Sequence, residues 1–318
     1  MAGLTGGGAV WAGVPAGAVG AGFFLALLSG SPGAVILVYL AQLPLFAAGL
    51  WLGAGTAVIA GLTGTAVVGV AGGAIAAALF AALYGAPAAF LVWCSLLARQ
   101  RDGGTEWYPS GRLAAWLTGF GVAVAIAVTW LLGGPEGIRA LLREALNPAL
   151  TRFGGPSAAE RNAFVDFFAT IMPGVAAASW MVMTISNGLL AQGVLARFGA
   201  NWRPSPDLAA LSLPPWIPAL WPVAAVLAIF AGAPRFLGVN LLIVLAVPFC
   251  LAGLAVVHAL ARRLSRPAVP LALFYVLTAL LGWPLFLVAI LGAVDAVLGL
   301  RRRWVPASAV GRKREWSN

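Results

Sequence analysis

The sequence predicts an all-α fold, a polytopic transmembrane helix bundle of about 8–10 spans with one amphipathic helix in the membrane interface. Three observations carry that prediction. Of the 318 residues, 62% are hydrophobic and only 9% are charged, against roughly 25% charged in soluble domains. No charged side chain occurs from Met1 to Ala98, so this stretch has no means of keeping a surface in water. The apolar runs also exceed the roughly 18 residues that a bilayer-crossing helix needs at about 1.5 Å rise per residue. A membrane β-barrel would show segments of about 10 residues with alternating polarity, and the sequence has none.

The first four spans are placed at about 9–28, 33–51, 53–71 and 74–98, separated by "SGSPG" (29–33) and by glycine pairs near 53 and 72. The N-terminus has no basic n-region, so its apolar stretch is expected to be a retained span and not a cleaved leader. Gly13/Gly17 and Gly69/Gly73 carry the small-xxx-small spacing that lets helix backbones approach closely. A fifth span is expected at about 113–133 and ends at "GGPEG" (133–137).

The segment 135–167 is more than a loop. Ile138, Leu141, Leu142, Ala145 and Leu146 fall on one helical face, with Arg139, Arg143 and Glu144 on the other, the pattern of a helix lying in the interface plane. "SAAE" (157–160) matches a capping box, which predicts a new helix start there. That helix should continue into a sixth span at about 168–195, kinked where Pro173 removes an N–H. Spans at about 215–232 and 236–261 follow, bounded by "NWRPSPD" (201–207) and "GAPR" (232–235).

Arginine placement sets the expected orientation. Loops 99–112, 196–214 and 262–267 are Arg-rich, and the positive-inside rule assigns all three to the cytoplasm. Arg301, Arg302 and Arg303, followed by Arg312, Lys313 and Arg314, should lie on the same side. One crossing by 268–300 would put them outside, so "GWP" (282–284) is expected to be the tip of a helical hairpin with limbs at about 267–282 and 284–300. A single kinked helix is the alternative. Residues 1–303 then form one transmembrane domain in the bacterial inner membrane, and 304–318 form a basic cytoplasmic tail.

The net charge of +10 reflects those loop ends. It shows no basic stripe with interleaved aromatics, so the lipid bilayer and not nucleic acid is the expected partner. Cys94 and Cys250 sit in apolar runs without C-x-x-C spacing, and neither a disulfide framework nor a metal site is expected. The sequence holds no G-x-S-x-G, P-loop or H-E-x-x-H motif, and neither enzymatic activity nor a cofactor is expected.

Polar residues within apolar runs are the functional candidates, because each is costly in a bilayer. They are Gln42, Thr184, Ser186, Asn187, Gln192, Asn240, His258 and Asp295, with Asp166 near one boundary. Thr184, Asn187 and Gln192 in "MTISNGLLAQGVLARFG" (183–199), together with Asn240, His258 and Asp295, form the candidate ligand-binding set. For the amides the competing reading is a hydrogen bond to a neighbouring helix. For Asp295 it is a pair with Arg301 or an Arg of 262–266, and for His258 a bridge between helices.

"IMPGVAAASWMVMTISNGLLAQGVLARFG", "NLLIVLAVPFCLAGLAVVHALARR" and the stretch 272–303 resemble the YybS-like family of bacterial membrane proteins, a domain of unknown function. The similarity rests on Pro173–Gly174, Ser186–Asn187, Asn240–Leu242 and Gly253–His258. That family is distantly similar to the substrate-binding components of energy-coupling-factor transporters. The resemblance therefore implies small-molecule binding, with a partner ATPase or another membrane subunit. The alternative is a scaffold or assembly factor of a membrane complex.

Overall fold

The computed structural model describes residues 11–101, 104–152 and 157–301. The basic tail assigned to 304–318 lies outside them, as do the first residues of the first expected span. The described chain is almost wholly helical. In order it forms α1 (Gly13–Leu25), α2 (Pro32–Tyr39), α3 (Leu43–Leu52), α4 (Ala54–Phe80), a π-helical turn (Ala81–Gly85) and α5 (Ala86–Leu96). A short hairpin follows, of β1 (Ala98–Arg101) and β2 (Gly104–Trp107). Then come α6 (Ser110–Leu131), α7 (Gly134–Arg152), α8 (Ala158–Arg197), α9 (Trp216–Ile229), α10 (Ala233–Ala261), α11 (Ala268–Leu281) and α12 (Pro284–Leu298).

Five of these stretches are long and apolar enough to cross a membrane, six if the bent pair α11–α12 counts as one, among the described residues. Many large apolar side chains are exposed on them, Val70 at 91% and Ile75 at 80% among them, as expected where the surrounding solvent is hydrocarbon. The chain is an all-α polytopic membrane protein. Among the described residues the one sheet is the antiparallel pair β1–β2, with Arg99 opposite Glu106 in register and ion-paired to it at 2.7 Å. Sequence reasoning leaves this segment as a loop, because four-residue strands in a polar linker carry no usable period.

Contacts divide the chain into two compact units, Met1–Leu113 with Trp180–Pro206, and Ala114–Ser179 with Asp207–Asn318. In the first unit α1 lies on α3 and α4 through glycines. A Cβ at Gly17 would collide with the Ala60 carbonyl, and one at Gly20 would stand 2.8 Å from the Ala41 carbonyl oxygen. Gly13 and Gly17 therefore serve close packing, as their spacing predicts. Gly73 does something else: its φ of 84° breaks α4, a conformation that suits a residue without a Cβ.

In the second unit α9, α10 and α12 enclose a core of Ile217, Ala224, Leu245 and Phe249. Gly253 of α10 and Gly292 of α12 bring these two backbones together, since a Cβ on either would strike the carbonyl of Val288 or Phe249 respectively. The capping box expected at 157–160 is present. The Ser157 N–H donates to Glu160 Oε2 at 2.8 Å and the Glu160 N–H to Ser157 Oγ at 3.3 Å. Helix α7 buries Ile138 completely, and Arg139 on its other side pairs with Asp166 of α8 at 3.0 Å.

The α11–α12 pair bends by 120° at Gly282–Trp283, where Gly282 has a φ of 68°. Both ends of this hairpin meet one turn. Arg262, just before it, pairs with Asp207 at 2.6 Å, and Arg301, just after it, donates to the Ala209 carbonyl at 2.9 Å. The limbs of 14 and 15 residues reach only about 21 and 22 Å, short of a hydrocarbon core of about 30 Å.

Candidate functional site

Proline breaks place the polar side chains. Pro87 has no N–H to offer the carbonyl of Leu83, four residues earlier, and the π-helical turn at 81–85 forms just before it. The stranded Leu83 carbonyl is taken by two side chains from elsewhere, Gln42 Nε2 at 2.7 Å and Trp180 Nε1 at 2.8 Å. The chain also breaks between α2 and α3, just before Pro44. Leu43 N–H turns to the Leu40 carbonyl at 2.9 Å, which leaves the Tyr39 carbonyl outside the helix ladder. Asn187 Nδ2 donates to Tyr39 O at 2.6 Å and to Met183 O, one turn back in its own helix, at 2.8 Å.

These contacts build one polar centre in the first unit. Trp180, Thr184 and Asn187 lie at i, i+4 and i+7 on one face of α8 and meet the 39–42 break and the 81–85 turn. Gln42, Thr184 and Asn187 are all buried, at 0%, 1% and 1% exposure. The Thr184 hydroxyl is occupied by the Trp180 carbonyl at 2.9 Å. Both amides, by contrast, face carbonyls with their NH2 groups, so their oxygens must point away. Gln42 Oε1 and Asn187 Oδ1 are sealed and accept no hydrogen bond. A buried polar atom without a partner is costly, and two such acceptors in one centre fit a group that brings donors.

Asn240, in the second unit, is used differently. Its Oδ1 accepts the Gly174 N–H at 2.5 Å and its Nδ2 donates to the Thr170 carbonyl at 2.8 Å and to the Phe236 carbonyl at 2.7 Å. Thr170 and Gly174 would bond each other in an uninterrupted helix. Beside Pro173 the Asn240 amide bonds both of these groups, one with each of its ends. Gly174 permits the approach, since a Cβ there would lie 3.0 Å from Asn240 Cα. A cleft of about 500 Å³ opens beside it, lined by Val122, Ile126, Trp130, Phe236, Leu237 and Leu241 among others. With Asn240 satisfied, that cleft offers apolar walls and no spare polar atom of the amide.

The remaining candidates have partners of their own. Gln192 donates to the Arg203 carbonyl at 2.7 Å and fastens the loop after α8. His258 bridges α10 to α11 through the Tyr275 hydroxyl at 2.8 Å. Asp295, with a side chain 3% exposed, accepts from the Arg301 backbone N–H and Nε at 2.9 Å each and pairs with Nη2 at 2.8 Å. It therefore ties the end of α12 to the first arginine after it. At the turn, hydrogen bonding from Arg262 lowers the Asp207 pKa below its ordinary value.

Of the six predicted residues, Thr184 and Asn187 share the polar centre of the first unit, Gln192 of that unit is engaged with the loop after α8, and Asn240, His258 and Asp295 belong to the second unit, each with its own partners. Trp180 and the Leu83 carbonyl were missed, and Gln42 was noted only as an intramembrane polar residue. One signal could have found them. Pro87 has no N–H for the Leu83 carbonyl four residues before it, which marks that carbonyl as one needing a donor from elsewhere.

Residues 19–296 match a family model described as "Predicted membrane protein (DUF2232)", and the chain belongs to that family. No curated protein and no solved structure matches it.

Proposed function

We propose that this DUF2232 membrane protein binds a small molecule rich in hydrogen-bond donors at the Gln42–Trp180–Asn187 centre, as the binding component of a transport-like system. The observation that carries this reading is the pair of sealed, unpartnered amide oxygens, Gln42 Oε1 and Asn187 Oδ1. They stand where α2–α3 and α4–α5 are interrupted, and broken helices at membrane depth are where transporters commonly build binding sites. Two neutral acceptors suit an amine, amide or hydroxyl ligand, or a weakly held cation, and disfavour an anion. Nothing in the centre pairs a nucleophile with a base, which supports binding and not catalysis.

The test is a thermal-shift screen of amines, amides, polyols and alkali cations on the purified full chain. A ligand that stabilises the wild type should lose its effect in Gln42→Leu and Asn187→Leu but keep it in Asn240→Leu. Equal shifts in all four proteins, or no shift with any compound, would overturn the reading.

A further inference from the structure

We propose that Arg203 is an anion site for a phosphate group at the membrane surface, the chemistry shared by a phospholipid headgroup and free phosphate. The site is separate from the polar centre and does not rest on it.

Arg203 lies in the loop after α8 and is 7% exposed. No carboxylate pairs with it among the described residues. Among the described residues its guanidinium makes one hydrogen bond, from Nη1 to the Ser95 carbonyl in the last turn of α5, at 3.1 Å. A helix C-terminus carries only about half a negative charge, so most of the guanidinium charge stays uncompensated. Arginine stays protonated at neutral pH even where burial lowers its pKa, as burial does here. A buried cation without a counter-ion is unfavourable, and an anion that reaches it relieves that cost.

The position is built and not a chance side-chain excursion. Two amides hold the Arg203 backbone carbonyl, Gln192 Nε2 at 2.7 Å and Asn201 Nδ2 at 2.9 Å, and Pro204 follows directly. With the backbone gripped on one side, the side chain is committed to the end of α5. The planar fork leaves donors free for two oxygens of one phosphate, the geometry guanidinium matches best.

The surroundings point to the headgroup level. Trp202 beside it is 49% exposed, and Trp93, two residues before Ser95, is 51% exposed, as interfacial aromatics are. The loops 99–112 and 196–206 hold Arg99, Arg101, Arg112, Arg197 and Arg203 against Asp102 and Glu106. Arg99 already occupies Glu106 at 2.7 Å. Net positive charge beside a membrane draws anionic lipid.

The experiment measures binding to the full chain in neutral detergent by native mass spectrometry. The probes are phosphatidylglycerol, phosphatidylcholine and inorganic phosphate. Phosphatidylglycerol should bind the wild type tightest, and Arg203→Gln should weaken it by on the order of tenfold. Arg197→Gln should change it by less than about threefold, since an exposed charge contributes little. If inorganic phosphate stabilises the wild type but not Arg203→Gln, while both lipids bind the two proteins alike, the anion site stands with a soluble source. Should Arg203→Gln fail to fold, Arg203→Lys keeps the charge without the fork and should still lose several-fold in affinity. Equal binding of every probe by the wild type and the folded variant, or an adventitious ion only, overturns the assignment.

Discussion

At Pro173 one amide closes the freed backbone of α8 from both sides, with Asn240 Oδ1 on the Gly174 N–H and Nδ2 on the Thr170 carbonyl. At the α2–α3 break and the 81–85 turn, Asn187 and Gln42 also supply amides, but each uses its NH2 group alone and keeps a buried oxygen without a partner. The difference follows from what each break releases. Beside Pro173 the amide meets both a donor and an acceptor and engages each. At Tyr39 and Leu83 only carbonyls are left over, so an amide that caps them has its own carbonyl to spare. The same residue type is thus a finished structural bridge in one unit and an open acceptor in the other.

Four measurements would break or sharpen that contrast, all by unfolding titration of purified variants. Asn240→Leu should cost the most, about 2–4 kcal/mol, because it strands the Gly174 N–H and the Thr170 carbonyl together. A loss under about 1 kcal/mol would mean the kink does not need its bridge. Gly174→Ala should cost about 1–3 kcal/mol by forcing a Cβ against Asn240, and the double variant with Asn240→Leu should be less than additive. Asn187→Leu should cost only about 1 kcal/mol, since the bonds lost to Tyr39 and Met183 are partly offset by removing a stranded oxygen. A cost equal to that of Asn240→Leu would erase the distinction between the two units.

The smallest effect belongs to the exposed pair Asp207–Arg262, whose side chains are 48% and 55% exposed. Its lowered carboxyl pKa means that its stabilisation is present above the unfolded value of about 4 and is lost as pH falls through the folded value. Exposure limits this to about 0.5 kcal/mol, so Asp207→Asn should flatten the acid limb of the stability curve only slightly. A loss of more than about 2 kcal/mol would show the turn at 207–210 to be a fastening point for the hairpin and not a screened surface pair.

Much of the architecture was legible because hydropathy and breakers act locally. The glycine pair near 72 and the "GWP" tip were expected at the places where α4 and the α11–α12 pair break or bend. The arginine clusters favoured a hairpin over a single kinked helix at 268–300, and residues at both of its ends contact the turn at 207–210. The candidate site was legible only in part. Asn187, Thr184 and Gln42 could be singled out as polar residues in apolar runs, but their meeting point could not, because the Leu83 carbonyl that joins Gln42 and Trp180 lies 41 and 97 residues from them.

What the sequence by itself determined is the class of molecule: the long apolar runs admit only helices in hydrocarbon, and arginine at their ends limits how they can be threaded. Tertiary structure decided which amide became a bridge and which kept an open oxygen. The physical reason is that a break such as Pro87 marks in the sequence the carbonyl it strands, but not the distant donor that answers it. Only packing brings that donor into reach, and only its geometry settles whether one end of an amide is engaged or both.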